Sequence, residues 1–168
     1  MNSGLHFHAD ANDGSSRRLG VKIAITGPFT GNILELKFPR WIPGSYFVRE
    51  PIQHMSDLSA KSDNEVVKVE RFGVDGIRIK GISDSSEVVV TYKVLAAEMT
   101  CRANHLDSSH VHIMPPYTWM LPTRGIDAKR MHETHKVTLD KPKDWQTAIQ
   151  LPGKEGEWFA EGRDELLD

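Results

Sequence analysis

The stretch LGVKIAIT, Leu19 to Thr26, decides the fold class. Leu19, Val21, Ile23 and Ile25 share one face of an extended chain and Lys22 takes the other, the period-two pattern of a strand with one side in a core. ILELKF (Ile33 to Phe38) alternates in the same way. Gly27, Pro28 and Gly31 lie between them as turn formers, so the two strands are expected to pair as a hairpin. VVKVERF (Val66 to Phe72) and GIRIKGI (Gly76 to Ile82) flank a Gly73-Val74-Asp75 turn, and the β-branched EVVVTYKVLAAE (Glu87 to Glu98) is long enough for a central strand. LHFHADA near the start, HVHIM (His110 to Met114), HKVTL (His135 to Leu139) and WQTAIQL (Trp145 to Leu151) complete the set. Ile52, Met55 and Leu58 allow a single helical turn after Pro51, and no segment reads as a longer amphipathic helix. Many short strands with turn signals between them predict an all-β protein, an antiparallel β-sandwich with little helix.

The chain has 168 residues, enough for one domain with a real core, and its 39% hydrophobic and 26% charged content is that of a globular protein. With 21 basic and 23 acidic residues the net charge is −2, and no basic patch points to nucleic acid or to an anionic membrane. No apolar run has transmembrane length, and the start lacks the basic and apolar regions of a secretory leader. Cys101 is the single cysteine, so no intramolecular disulfide is possible. These features point to a cytoplasmic protein, with an exported parent left open. Residues 1–152 are expected to form the β-sandwich domain. GKEGEWFAEGRDELLD (153–168) is polar and acidic and reads as an exit linker.

Chemistry-bearing residues are sparse. HETH, His132 to His135, resembles a zinc peptidase motif but spaces its histidines i and i+3, one residue short of a shared helix face, and its second histidine opens a strand pattern. His6 with His8, and His110 with His112, stand at i and i+2 on strands and so share faces. Each pair needs a third ligand, for which Asp10, Asp107 and His105 are sequence neighbours, and two imidazoles alone do not complete a site. Both pairs are read as partly exposed strand histidines, and no metal site is assigned. Cys101 is read as a small buried apolar residue rather than a nucleophile. Ser45 lacks a nucleophile-elbow context, and there is no phosphate-binding glycine loop. No catalytic residue is assigned. MPPYTWMLPTRG (Met114 to Gly125) carries Tyr117, Trp119 and Arg124 either as a ligand or domain-contact loop or as a cap on the core.

FPRWIPGSYFVRE, Phe38 to Glu50, fits neither periodicity. Ile42-Pro43-Gly44-Ser45 has the signature of a type II turn, since proline presets φ and glycine accepts a positive φ. Trp41 and Tyr46 are expected to clamp the turn against the core, and Arg49 to stack on a ring or pair with a carboxylate. Trp41, Pro43, Gly44, Ser45, Tyr46, Val48, Arg49 and Glu50 together resemble the N-terminal domain of the glycyl aminopeptidase family of zinc metallopeptidases (metallopeptidase family 61). VVVTYKVLAAEMTCRANHLD, VTLDKPKDWQTAIQLP and the terminal RDELLD extend the resemblance along nearly the whole chain.

The resemblance implies a β-sandwich preceding a thermolysin-like catalytic domain, where an HExxH helix and a downstream glutamate hold zinc. No residue of this chain matches those positions. The resulting expectation is a non-catalytic N-terminal β-domain. It packs against the catalytic domain of the same parent, its partner, and walls the cleft for a peptide substrate. Zinc and the hydrolysis of N-terminal residues belong to the parent, and this chain carries no cofactor. The alternative is a stand-alone β-sandwich module that binds peptide or carbohydrate. The first reading predicts an exposed apolar patch for docking, the second a polar surface all round.

Overall fold

Strict alternation of buried and open positions along Arg18–Thr26 makes this strand, β2, the centre of the molecule. The computed structural model describes residues 4–42 and 45–168. The remaining strands are β1 (His6–Asp10), β3 (Ile33–Lys37), β4 (Met55–Ser62), β5 (Glu65–Val67), β6 (Val69–Phe72), β7 (Gly76–Lys80) and β8 (Glu87–Leu95). They continue with β9 (His105–Leu106), β10 (Val111–His112), β11 (Leu121–Arg124), β12 (Thr134–Asp140), β13 (Gly153–Lys154) and β14 (Glu157–Glu161). Two short helices, α1 (Pro115–Thr118) and α2 (Gly162–Leu167), and three 3-10 turns are the only helical elements among the described residues. The protein is all-β, as its alternating pattern requires.

An eight-stranded sheet runs β13-β14-β12-β1-β2-β8-β4-β5 and a four-stranded sheet runs β11-β3-β7-β6. Pairing is antiparallel except between β1 and β12, which are parallel. Ile23, Ile25, Val88, Val90 and Tyr92 of the large sheet share one buried cluster with Leu34, Leu36, Ile77 and Ile79 of the small one. That shared core makes the arrangement a sandwich. Burial of these aliphatic side chains, each worth roughly 1.5–3 kcal/mol, is the main force holding the layers together.

Several expectations are corrected. β2 and β3 do not pair; they lie in different sheets. The glycine-rich connection between them bonds to other loops instead, through Gly27 N–H to Ser86 O and Thr30 N–H to Gly125 O, and so carries the chain across the sandwich. Residues 66–72 are not one strand: the run divides into β5 and β6, in opposite sheets. The helical turn after Pro51 is a single 3-10 turn, and from Met55 the chain is strand β4. Asp63 and Asn64 both take positive φ (48° and 70°), the backbone of a tight hairpin turn joining β4 to β5. WQTAIQL is irregular rather than a strand, lying between Pro142 and Pro152.

Residues 153–168 are not an exit linker. β14 adds to β12, burying Trp158 and Ala160, and α2 buries Leu166 in the core. Trp158 and Ala160 stand two apart on the buried face with Phe159 between them, a strand signal masked by the segment's acidic composition.

Candidate functional site

The connection from β3 to the Pro51 turn carries the sequence box around Trp41. Pro43 and Gly44, on which the expected type II turn rests, lie outside the described residues. Around them, Ser45 N–H donates to Ile42 O at 3.0 Å and Arg49 N–H donates to Arg40 O at 2.8 Å, closing the base of a loop. Arg40 Nη2 meets Glu50 Oε1 at 3.3 Å across the same base. Arg49 instead sits over the Phe47 ring, 5.7 Å from its centroid.

Trp41 and Tyr46 do not clamp the loop on the core. They are 61% and 92% exposed, and Phe47 and Val48 beside them are 67% and 56% exposed. The physical reason lies in the base: backbone bonds and an ion pair fix the loop, and the aromatics are left facing outward. Ser45 Oγ turns toward Phe47 O at 3.4 Å.

His6 and His8 both reach Thr138 Oγ1 of the neighbouring β12, each at 2.7 Å, and His8 Nε2 lies 3.5 Å from Asp140 Oδ2. Burial, with Lys136 nearby, holds the His6 imidazole below its ordinary value. This pair is a half-buried polar cluster on the sheet face. In HETH, His132 ends a 3-10 turn while His135 lies fully buried in β12. Leu5 N–H donates to His135 Nδ1 at 3.1 Å, and Nε2 faces Met131 O at 3.3 Å. Both ring nitrogens are therefore committed to backbone groups. Desolvation pushes the His135 imidazole below its ordinary range.

The second HxH pair separates. His112 is exposed and faces His105 across the β9–β10 hairpin, while His110 turns into the hairpin loop. There the rings of His105 and His110 stack at 4.9 Å and 28°. His105 Nε2 is 2.9 Å from Asp107 Oδ2, and His110 Nδ1 is 3.5 Å from Asp107 Oδ1. Ser109 N–H, Ser109 Oγ and His110 N–H all donate to Asp107 Oδ1. These bonds, with that from His105 first, hold the Asp107 carboxyl well below the usual carboxylate range. Sequence reasoning named His105 and Asp107 only as neighbours. Their convergence depends on the Asx-type turn at Asp107, for which DSS is the local signal. Cys101 is exposed in the turn before β9 rather than buried.

Trp119 packs edge-on against Phe7 in the core (5.6 Å between centroids), so it is no open stacking platform. Tyr117 is half-buried beside His54, and Arg124 pairs with Glu35 at 3.5 Å on β3. The three residues do not converge. Tyr92 fixes this segment to the large sheet: its hydroxyl donates to Thr118 O at 2.6 Å and accepts from Met120 N–H at 3.1 Å. A groove of about 970 Å³ opens beside it, lined by Trp119, Trp145, Trp158, Ile113, Leu151 and His110 among others.

The fold is similar to that of a solved aminopeptidase N family protein. An aminopeptidase N family protein from Idiomarina loihiensis superposes with a TM-score of 0.80 at 20% identity, over 98% of this chain and 28% of that one. An M1 zinc metallopeptidase from Deinococcus radiodurans matches with a TM-score of 0.43 at 12% identity, over 93% of this chain and 36% of that one. No curated protein sequence matches. The profile of the peptidase M61 N-terminal domain matches residues 6–168, and the chain belongs to that family. It spans 28% of the length of the Idiomarina protein. The HETH residues do not fit a hydrolytic zinc, because backbone groups occupy both nitrogens of His135.

Proposed function

We propose that this chain is the non-catalytic N-terminal β-domain of a zinc aminopeptidase-like metallopeptidase, packing against the catalytic domain and walling part of its substrate cleft. One observation carries the reading. Trp41, Tyr46, Phe47 and Val48 place four large apolar side chains in solvent within eight residues, on a loop tied at its base. Scattered single apolar residues are ordinary on a surface, but a held cluster of aromatics is the composition of an interface centre. The family supports the same reading, since its name describes the N-terminal part of a peptidase. Zinc, hydrolysis of N-terminal residues and recognition of peptide belong to the parent. Trp41, Ser45, Tyr46, Arg49 and Glu50 then form the contact loop, with Pro43 and Gly44 completing its sequence box.

The test compares the isolated chain with the parent enzyme. The chain alone, supplied with zinc, is expected to release no amino acid from peptides. In the parent, Trp41→Ser with Phe47→Ser lowers kcat/KM at least about tenfold, the effect of losing one or two central contacts. Turnover by the chain alone, abolished by His132→Ala, overturns the reading. The rival is a stand-alone module for peptide or carbohydrate, favoured by the tryptophan-lined groove. It predicts saturable binding by the isolated chain, lost on Trp145→Ala and untouched by changes at Trp41.

A further inference from the structure

The β9–β10 hairpin brings together two imidazoles and one carboxylate from six consecutive residues. From this geometry we propose that His105, Asp107 and His110 form a binding site for a divalent transition-metal cation of the zinc class. The donor atoms all lie within 4.8 Å of one another. Tetrahedral zinc with ligands at about 2.0–2.1 Å spaces its donors roughly 3.3–3.4 Å apart. His105 Nε2 and Asp107 Oδ2 stand 2.9 Å apart, close to that spacing, while His110 Nδ1 stands 3.5 Å from the other oxygen, Oδ1. His110 Nδ1 also lies 2.9 Å from Ser109 Oγ, a contact that a cation would replace.

Three features prepare the site. His105 is buried and presents Nε2 to Asp107, while its Nδ1 has no hydrogen-bond partner. Asp107 is held in place by three donors to Oδ1, which leaves Oδ2, now facing His105, as the oxygen for a cation. Gly14 supports the turn from behind: a Cβ there would lie 2.3 Å from Asp107 O, so only glycine lets the two segments approach this closely. His110 and Ser109 also line the large groove, which opens the site to solvent and leaves a fourth position for water or a groove ligand.

Titration of the chelator-treated 168-residue chain with zinc, followed by cobalt(II) absorption, tests the proposal. The expected result is one equivalent bound, with tetrahedral cobalt bands. His110→Ala, an exposed change that leaves the metal-free circular dichroism and Tm intact, is expected to weaken binding at least about tenfold, as is Asp107→Asn. His8→Ala leaves binding unchanged. Absence of stoichiometric binding overturns the proposal. So does binding that survives both His110→Ala and Asp107→Asn, or that is lost with His8→Ala.

Discussion

His135 makes the stability of this protein depend on pH, and the sign follows from its burial. In the folded chain the imidazole accepts from Leu5 N–H and faces Met131 O, and desolvation depresses its pKa below the ordinary 6.5. Below that pH the unfolded chain takes up a proton that the folded site resists. Stability is therefore complete above about pH 6.5 and declines as the pH falls toward the depressed value. His6, depressed chiefly by burial as well, adds to the same slope. Urea unfolding measured from about pH 7 to pH 5 should show this decline, and His135→Gln should flatten it while lowering stability at neutral pH. An unchanged slope in the variant would remove His135 from the account. None of this was legible in HETH, whose spacing excluded a zinc helix but said nothing of Leu5, 130 residues away.

The terminal elements β14 and α2 are the clearest test at the next scale. A chain ending at Pro152 loses the buried Trp158, Ala160 and Leu166 and bares the edge of β12. Such a truncation is expected to unfold or aggregate, because an apolar strand edge without its neighbour is a template for further pairing. A soluble truncated chain with the parent's Tm would contradict the role assigned to these elements. The sequence displayed β2 and β8 plainly, because both alternate over nine residues and sit mid-sheet. It hid β4, whose MSDLSAKS reads as polar because its outer face is open and its buried positions are only Met55 and Ala60. Pairing was less legible than strand identity. The turn formers at 27–32 signal a reversal equally well for a hairpin or for a crossing between sheets, and only loop-to-loop bonds decide which. The members of the His105–Asp107–His110 cluster were visible as sequence neighbours, but their spacing of two and three residues gave the three no shared face, and only the tight turn brings them together.

For the whole molecule, the account rests on where apolar surface has been left uncovered. The two sheets bury their aliphatic faces against each other, and the long loop from β3 holds its aromatics outward on a closed base. No helix among the described residues is long and apolar enough to cross a membrane. The outward aromatic loop beside a closed core is the observation behind the proposed docking role, and the chain belongs to the M61 N-terminal domain family. The most direct measurement is backbone hydrogen exchange across residues 40–50, for the chain alone and with the parent's catalytic domain present. The account predicts strong protection of this loop on association, lost when Trp41 and Phe47 are both changed to serine. Association that leaves residues 40–50 exchanging as fast as in the isolated chain would contradict it.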